Sequence, residues 1–186
     1  MLTIHDQPLP YAAKLPERPA SAVILVVIHC TELPDLAMAR EYGEKVLYES
    51  GTGNSGHYYI DRDGTVYRYV PGTRVANHIR GYNPQSIGIE LVNKGRYPSW
   101  FDSRRQTMTE PYTPAQTASL RTLLAQLRVD FPSLHEIAGH EDLDTARVPA
   151  SDDPAQEVPR KLDPGPLFPW AEVLAGSGLK RIGANH

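Results

Sequence analysis

Apolar residues follow two kinds of pattern along this chain. Four segments have the β-branched or alternating composition of strands: SAVILVVIHC (21–30), HYYIDRDGTVYRYV (57–70), SIGIELVN (86–93) and HEIAGH (135–140). The first is a continuous apolar run, which predicts a central strand buried on both faces. Asp63-Gly64 divides the second into two β-rich halves and predicts a hairpin. These segments together predict a sheet with a buried centre.

Helical spacing occurs in three further segments. A helix is predicted over about 35–49, with one apolar face made by Leu36, Ala39, Gly43, Val46 and Leu47. The clearest helix follows Thr113, which is a suitable N-cap, with Pro114 at the first helical position and Gln116 at capping-box spacing. Its apolar stripe consists of Leu120, Leu123, Leu124, Leu127 and Phe131. A short terminal helix is predicted within LFPWAEVLA (167–175).

These elements predict an α/β protein of the mixed α+β kind, in which a central mixed β-sheet is flanked by helices. There is no internal repeat and no sign of a second domain. We therefore expect one domain over 1–186, with a motif-bearing core at about 21–176, an N-terminal extension at 1–20 and a C-terminal tail at 177–186. The 17 prolines cluster in 84–114 and 149–169 and predict long, stiff loops.

Composition narrows the functional classes. The formal net charge of −3 and the lack of a dense Lys/Arg run argue against nucleic acid as a partner. No apolar run reaches the roughly 18 residues of a membrane span. No signal peptide is visible, and a single cysteine, Cys30, suits a reducing compartment. We therefore expect a cytoplasmic monomer, with delivery to the periplasm or secretion by another route as the alternative.

Two of the histidines end predicted strands. His29 closes the most buried strand, where a polar side chain is costly unless it is paired or ligated, and His140 closes another. Strand ends at one sheet edge are where α/β sites gather. A catalytic zinc site needs a third protein ligand, for which Asp163, Cys30, Asp142 and Asp144 are the candidates. Cys30 is disfavoured because neighbouring strand residues point to opposite faces.

Five blocks of the sequence resemble the successive motifs of a known family: VVIHCT, SGHYYIDRDGTVYRYV, NPQSIGIELVN, IAGHEDL and RKLDPG. They are similar, in the same order, to the motifs of zinc-dependent N-acetylmuramoyl-L-alanine amidases of the AmpD-like type-2 class, which are related to phage amidases and peptidoglycan recognition proteins. The resemblance runs from about residue 21 to residue 170. It implies a mixed sheet with helices on its faces and a Zn²⁺ site at one edge, in a peptide-binding groove.

The resemblance also implies roles for individual residues. His29, His140 and Asp163 match the three zinc ligands of the family, and the recognition proteins without activity lack the third ligand. Glu90 matches the acidic residue near the zinc water, and Lys161 matches the lysine that stabilises the oxyanion. An adjacent carboxylate can move the water's proton, and a nearby ammonium can stabilise the developing negative charge. The implied partners are peptidoglycan fragments or murein.

Substrate binding is expected from a second set of residues: His57, His78, Arg80 and Asn93. The segment VANHIRGYNP keeps a histidine at His78, but Asn77 stands where the family commonly has tryptophan, which changes the groove wall. The aromatic and arginine-rich stretch at 93–114 is either part of that wall or a lid, or else a surface excursion.

The predicted function is hydrolysis of the amide between N-acetylmuramic acid, or its 1,6-anhydro form, and L-alanine. The alternative is a peptidoglycan-binding module without turnover. The set of five residues that the family requires for catalysis is complete, which favours the enzyme. The lack of an appended wall-binding repeat favours soluble muropeptides over polymeric murein.

Overall fold

The computed structural model describes residues 2–183, so the predicted tail at 177–186 is covered only as far as Gly183. The strands are β1 (Ile4–Asp6), β2 (Leu25–Cys30), β3 (Tyr58–Ile60), β4 (Val66–Arg68), β5 (Ser86–Leu91), β6 (Glu136–Gly139), β7 (Arg147–Pro149), β8 (Glu157–Pro159) and β9 (Lys180–Arg181). The α-helices are α1 (Leu36–Glu44), α2 (Pro114–Asp130), α3 (His140–Leu143) and α4 (Trp170–Leu174). Short 3₁₀ helices span Ala12–Lys14, Ala20–Ala22 and Asn83–Gln85.

Seven strands form one mixed sheet in the order β1-β4-β3-β5-β2-β6-β9. The β3–β4 pair is antiparallel and is the predicted hairpin, whereas β2 runs parallel to both β5 and β6. Strands β7 and β8 form a separate antiparallel pair. The predicted fold class, a central mixed sheet flanked by helices, is confirmed.

The two faces of the sheet differ along its central strand. Val26 and Ile28 belong to the cluster that includes the buried leucines of α2. Leu25 and Val27 pack on the opposite face, which His29 shares because side chains alternate along a strand. The parallel register sets Glu90 of β5 directly opposite His29. The carboxyl end of β2 therefore carries polar side chains on the face that α2 does not cover.

Helix α2 begins as the sequence predicts. The hydroxyl of Thr113 accepts the backbone N–H of Gln116 at 3.1 Å, and the Gln116 side chain accepts the N–H of Thr113 in return. Leu120, Leu123, Leu124 and Leu127 are buried. No helix within residues 2–183 has both the length and the apolar character needed to cross a membrane.

Helix α1 is shorter than predicted. It ends at Glu44, and Val46 and Leu47, expected on its apolar face, are each 59% exposed. The chain turns away because the N–H groups of Leu47 and Tyr48 donate to the carbonyl of Thr52, so they bond forward in the chain. Residues 45–55 form a loop at the rim of the site instead of another helical turn.

The N-terminal segment packs into the fold. Strand β1 pairs in parallel with β4, and Leu9, Tyr11 and Leu15 are buried. The Tyr11 hydroxyl donates to the carbonyl of Gly43 in α1 at 2.6 Å. Residues that the sequence pattern sets apart as an extension thus help to fix the helix that borders the site.

Candidate active site

Three buried side chains converge at the carboxyl end of β2. His29 lies in β2, His140 is the first residue of α3 directly after β6, and Asp163 lies in the loop after β8. They are 2%, 3% and 3% exposed, so all three are withdrawn from bulk water. We call them the ligand cluster. In residues 2–183 they are the group of histidine, cysteine and acidic side chains arranged to hold a metal ion.

The ligand atoms of the cluster form a nearly equilateral triangle. His29 Nδ1 lies 3.0 Å from His140 Nδ1 and 3.0 Å from Asp163 Oδ2, and His140 Nδ1 lies 3.1 Å from the same oxygen. Zinc bonds of about 2.0–2.2 Å at tetrahedral angles place neighbouring ligand atoms about 3.3–3.5 Å apart. Two imidazoles and a carboxylate are also a common donor set for catalytic zinc. The cluster therefore fits a single metal ion.

The loop that carries Asp163 is fixed from several sides. The backbone N–H of Glu141 donates to the Asp163 carbonyl at 2.9 Å, and the Tyr112 hydroxyl donates to the carbonyl of Pro164 at 2.7 Å. A Cβ at Gly139 would lie 2.8 Å from Pro164 Cδ, so glycine is needed there for the loop to approach β6. These contacts hold the carboxylate beside His140.

The other candidates for the third ligand lie elsewhere. Cys30 is buried on the face opposite His29 and is not part of the cluster. Asp142 accepts the backbone N–H of Gly139 and pairs with Arg181. Asp144 pairs with Arg160, and its Oδ2 lies 3.9 Å from His140 Nε2. Asp163 is the carboxylate that the fold brings to the two histidines.

The electrostatics of the cluster suit metal ligation. Burial lowers the pKa of His29 to about 4, so its ring is neutral near pH 7. Burial opposes ionisation of Asp163, but its close contacts with His140 and His29 and the charge of Lys161 bring the pKa of this carboxyl well below its ordinary value. Asp163 Oδ1 and His140 Nε2 are buried without a hydrogen-bond partner in the described chain.

An open cavity of about 650 Å³ lies over the cluster. Its lining includes Glu90, Lys161 and Arg80. Trp100 and Phe101 of the 93–114 stretch also line it, so this stretch is part of the wall. The structure thus gathers the three predicted metal ligands, both predicted catalytic residues and Arg80 around one space.

Glu90 and Lys161 are partly exposed to this cavity. Burial and the charge of Asp163 raise the pKa of Glu90 well above its ordinary value, while Lys161 opposes the rise. A carboxyl whose pKa is raised in this way holds a proton more readily than an exposed one, which suits a group that accepts and returns a proton. The positive charge of Lys161 acts on Glu90, His29 and Asp163 alike, which indicates that it lies close to all of them.

Two predicted substrate-binding residues lie away from the cavity. His57 is fully buried; its Nδ1 accepts the N–H of Gly88 at 3.0 Å and its Nε2 contacts the Arg74 carbonyl at 2.9 Å. Asn93 is 1% exposed. Its side-chain amide donates to the carbonyl of Glu110 and accepts the backbone N–H of Gly95. Neither lines the cavity, because both side chains hydrogen-bond to the backbone of neighbouring loops, and we do not assign substrate contacts to them.

His78 lines the cavity, but both of its ring nitrogens have partners in the protein. Its Nδ1 lies 3.0 Å from His29 Nε2, and its Nε2 lies 3.1 Å from the hydroxyl of Ser86. Within the protein these nitrogens contact a metal-ligand candidate and β5, and a substrate contact of His78 stays a prediction. Arg80 is exposed at the rim of the cavity.

Sequence reasoning missed three buried charged residues near the site. Glu32, which follows β2, forms a bidentate ion pair with Arg96 at 2.7 and 2.8 Å, and Arg96 also donates to the carbonyl of Pro159. Arg18 donates to the carbonyls of Gly72 and Ser86. Their partners are distant in sequence, so no local pattern marks either arginine; the positive φ of 48° at Glu32 is also visible only in the fold.

The comparisons with known proteins agree with this geometry. The endolysin of Enterobacteria phage T3 is 29% identical over 142 residues, covering 75% of this chain and 89% of that protein. 1,6-Anhydro-N-acetylmuramyl-L-alanine amidase AmpD of Enterobacter cloacae is 35% identical over 125 residues, covering 62% of this chain and 53% of its own length. Among solved structures, the N-acetylmuramoyl-L-alanine amidase LysC from Clostridium intestinale matches with a TM-score of 0.67 at 24% identity, over 97% of this chain and all of that one.

Several relatives are longer than the matched region. The chain spans about half the length of AmpD and of the endolysins of Klebsiella phage KP32 and Escherichia phage T7. The family model described as N-acetylmuramoyl-L-alanine amidase matches residues 19–166, which include the whole ligand cluster, Glu90 and Lys161. The predicted resemblance is confirmed, and this chain belongs to the N-acetylmuramoyl-L-alanine amidase family of enzymes.

Proposed function

We propose that this protein is a zinc-dependent amidase that hydrolyses the bond between N-acetylmuramic acid, or its 1,6-anhydro form, and the L-alanine of a stem peptide. The observation that carries the proposal is the ligand cluster, whose three donor atoms lie 3.0–3.1 Å apart beneath a cavity lined by Glu90 and Lys161. Membership of the amidase family supplies the type of bond that is cleaved.

The ligand cluster would hold zinc through His29 Nδ1, His140 Nδ1 and Asp163 Oδ2, the three atoms that face one another. Bound zinc supplies Lewis acidity and lowers the pKa of a coordinated water to about 7, which provides a nucleophile at neutral pH. The low pKa of His29 keeps its lone pair available, and the ionised Asp163 offsets part of the metal's positive charge.

Glu90 is proposed to move the protons. It lies opposite His29 in the register of the two central strands, and its carboxyl is partly exposed to the cavity. In this role it accepts a proton from the attacking water as the new carbon–oxygen bond forms. It then gives the proton to the amide nitrogen as the carbon–nitrogen bond breaks, and L-alanine leaves as a neutral amine.

Lys161 is proposed to stabilise the oxyanion that develops on the amide oxygen. Its ammonium lines the same cavity, and its charge acts on both Glu90 and Asp163. The site is buried at its base, where an electrostatic interaction is stronger than in water. Arg80 at the rim, with Arg160 beside Lys161, offers positive charge to the carboxylates of a stem peptide.

The test compares two sources of the same bond. Zinc-loaded protein is incubated with a defined 1,6-anhydro-muropeptide and with intact sacculi, with and without a chelator, and the products are identified by mass. We expect release of the stem peptide with L-alanine at its N-terminus, and loss of this product on chelation. Cleavage of the soluble fragment, of sacculi or of both defines the substrate class, whereas binding without cleavage of either would overturn the amidase proposal.

Two variants separate metal binding from proton transfer. Asp163→Ala should lose both zinc and turnover, while Glu90→Gln should keep zinc and lose about 10²–10⁴-fold in kcat. Glu172→Gln, an exposed carboxylate of α4, is the matched control and should retain both. Full activity of Glu90→Gln would remove the role assigned to that carboxyl.

A further inference from the structure

His78 lies in a recess made by a glycine of the central sheet. A Cβ placed at Gly88 in β5 would meet His78 Nδ1 at 2.6 Å and Cγ at 2.7 Å. Gly88 shares its sheet face with Ser86 and Glu90, since side chains alternate along β5. The imidazole of His78 therefore lies directly against the strand, between Ser86 on one side and His29 on the other.

The Tyr82 carbonyl, Ser86, His78 and His29 form a row of hydrogen-bonded groups, in which each group donates to the one before it. The Tyr82 carbonyl can only accept, so the Ser86 hydroxyl, 2.8 Å away, gives it its single proton. The Ser86 oxygen must then accept from His78 Nε2–H at 3.1 Å. This leaves His78 Nδ1 without a proton, ready to accept from His29 Nε2–H at 3.0 Å.

The last hydrogen bond of this row, from His29 Nε2–H to His78 Nδ1, determines the tautomer of His29 and therefore which of its nitrogens carries a lone pair. With its proton on Nε2, His29 presents an unprotonated Nδ1, the atom 3.0 Å from Asp163 Oδ2. That carboxylate would otherwise attract a proton to His29 Nδ1, since a hydrogen bond to a carboxylate stabilises an N–H there. His78 supplies the opposing acceptor on the other side of the ring.

We propose that His78, backed by Ser86 and the Tyr82 carbonyl, is a positioning residue that holds His29 as the Nε2–H tautomer, with its Nδ1 lone pair and ring plane directed at the metal. The inference rests on the proposed function in that the ligand cluster binds zinc. It assigns to His78 a task inside the protein instead of a contact with substrate. A ligating histidine whose outer partner is lost typically loses about 10–100-fold in metal affinity.

Zinc affinity is the first readout, measured by competition with a chromophoric chelator. His78→Leu removes the acceptor and should weaken zinc binding about 10–100-fold. His78→Asn places an amide oxygen near the former Nδ1 and should recover most of the loss. Ser86→Ala, which leaves His78 free to take the other tautomer, should give a smaller loss. His135→Leu, an exposed histidine away from the site, is the control and should bind zinc like the unaltered chain.

Gly88→Ala keeps His78 but fills the recess in which its ring lies, so it should also weaken zinc binding, and it keeps the test informative if His78→Leu does not fold. The second readout is the nitrogen NMR spectrum of the zinc-loaded protein, in which His78 should carry its proton on Nε2. A proton on His78 Nδ1, or zinc affinities within twofold for all these variants, would overturn the inference alone. Failure of the unaltered chain to bind zinc would instead overturn the proposed function on which it rests.

Discussion

The two faces of the central strands hold the molecule together in different ways. On one face, Val26 and Ile28 pack beneath the leucine stripe of α2 in a cluster of buried apolar side chains. On the other face, at the carboxyl ends of the same strands, His29 and Glu90 lie among buried polar groups whose hydrogen bonds run between distant segments. The same two strands therefore serve a hydrophobic core and a reactive site.

The difference shows where stability and chemistry are located. Burial of an apolar side chain is favourable anywhere in the core, so the α2 face needs only the right volume and spacing. A buried imidazole or carboxylate is costly unless specific partners lie at hydrogen-bonding distance. Substitutions on the α2 face should therefore change mainly the free energy of unfolding, and substitutions in the ligand cluster or at Glu90 and Lys161 should change zinc affinity or turnover.

Leu123→Ala should have the largest effect on folding. Leu123 is fully buried in the stripe of α2, and truncation of such a side chain costs about 2–5 kcal/mol in the free energy of unfolding. Urea denaturation monitored by circular dichroism measures the loss. The matched control on the same helix is Val129→Ala, whose side chain is 73% exposed and which should change stability by less than about 0.5 kcal/mol. The folded fraction of Leu123→Ala should bind zinc normally; a lost site would contradict the separation of the two faces.

Lys161→Met should leave folding and zinc binding in place and reduce kcat. Removal of one group that stabilises an oxyanion typically costs about 10²–10³ in rate, which is about 2.7–4 kcal/mol. Steady-state hydrolysis of the muropeptide, with zinc content measured on the same sample, checks this. Lys180→Met in β9 removes an exposed lysine of the same length and should retain full activity. A change confined to KM would place Lys161 in substrate binding instead.

His57 should make the free energy of unfolding decrease at acid pH. Burial, with the charge of Arg18 as a further cause, lowers the pKa of His57 from 6.5 to about 3. Between these values the unfolded state binds the proton and the folded state does not, so stability falls as the pH falls below 6.5. The slope contributed by one such group is at most about 1.4 kcal/mol per pH unit, or about 2 kcal/mol between pH 6.5 and 5.

The comparison that isolates this effect is His57→Asn, whose amide oxygen can still accept the N–H of Gly88. Free energies of unfolding at several pH values between 6.5 and 5 should depend less steeply on pH in the variant, because one proton no longer binds on unfolding. Other acidic and histidine groups contribute equally to both proteins and cancel. Parallel pH curves would show that His57 is protonated in the folded state.

Local sequence predicts the apolar face far better than the polar one. The start of α2 follows from Thr113, Pro114 and Gln116, because capping involves residues only three positions apart. The length of α1 was mispredicted because the bonds of Leu47 and Tyr48 to Thr52 depend on a loop that no periodicity describes.

The site is predictable only in part for the same reason. The resemblance located the cluster and the cavity residues Glu90 and Lys161 by their motifs. It could not show that His57 and Asn93 are buried among backbone groups, since that depends on how separate loops pack. The task of His78 depends on the recess at Gly88 and on the register of β5 beside β2, and both are properties of the assembled sheet.

Thr113→Ala should have the smallest effect of these substitutions, and it tests whether the predicted N-cap of α2 contributes to the free energy of unfolding. The hydroxyl of Thr113 accepts the N–H of Gln116 and donates to the carbonyl of Arg62 at 2.6 Å, so alanine leaves two backbone groups without a partner. Loss of an N-cap of this type costs about 1 kcal/mol, measured by urea denaturation. Thr113→Ser keeps the hydroxyl and should restore most of the stability.

Thr122→Ala, at an exposed position inside α2, should be neutral or slightly stabilising, because alanine is the better helix former there. An equal loss at both threonines would mean that the helix depends on its stripe alone and gains nothing from the cap.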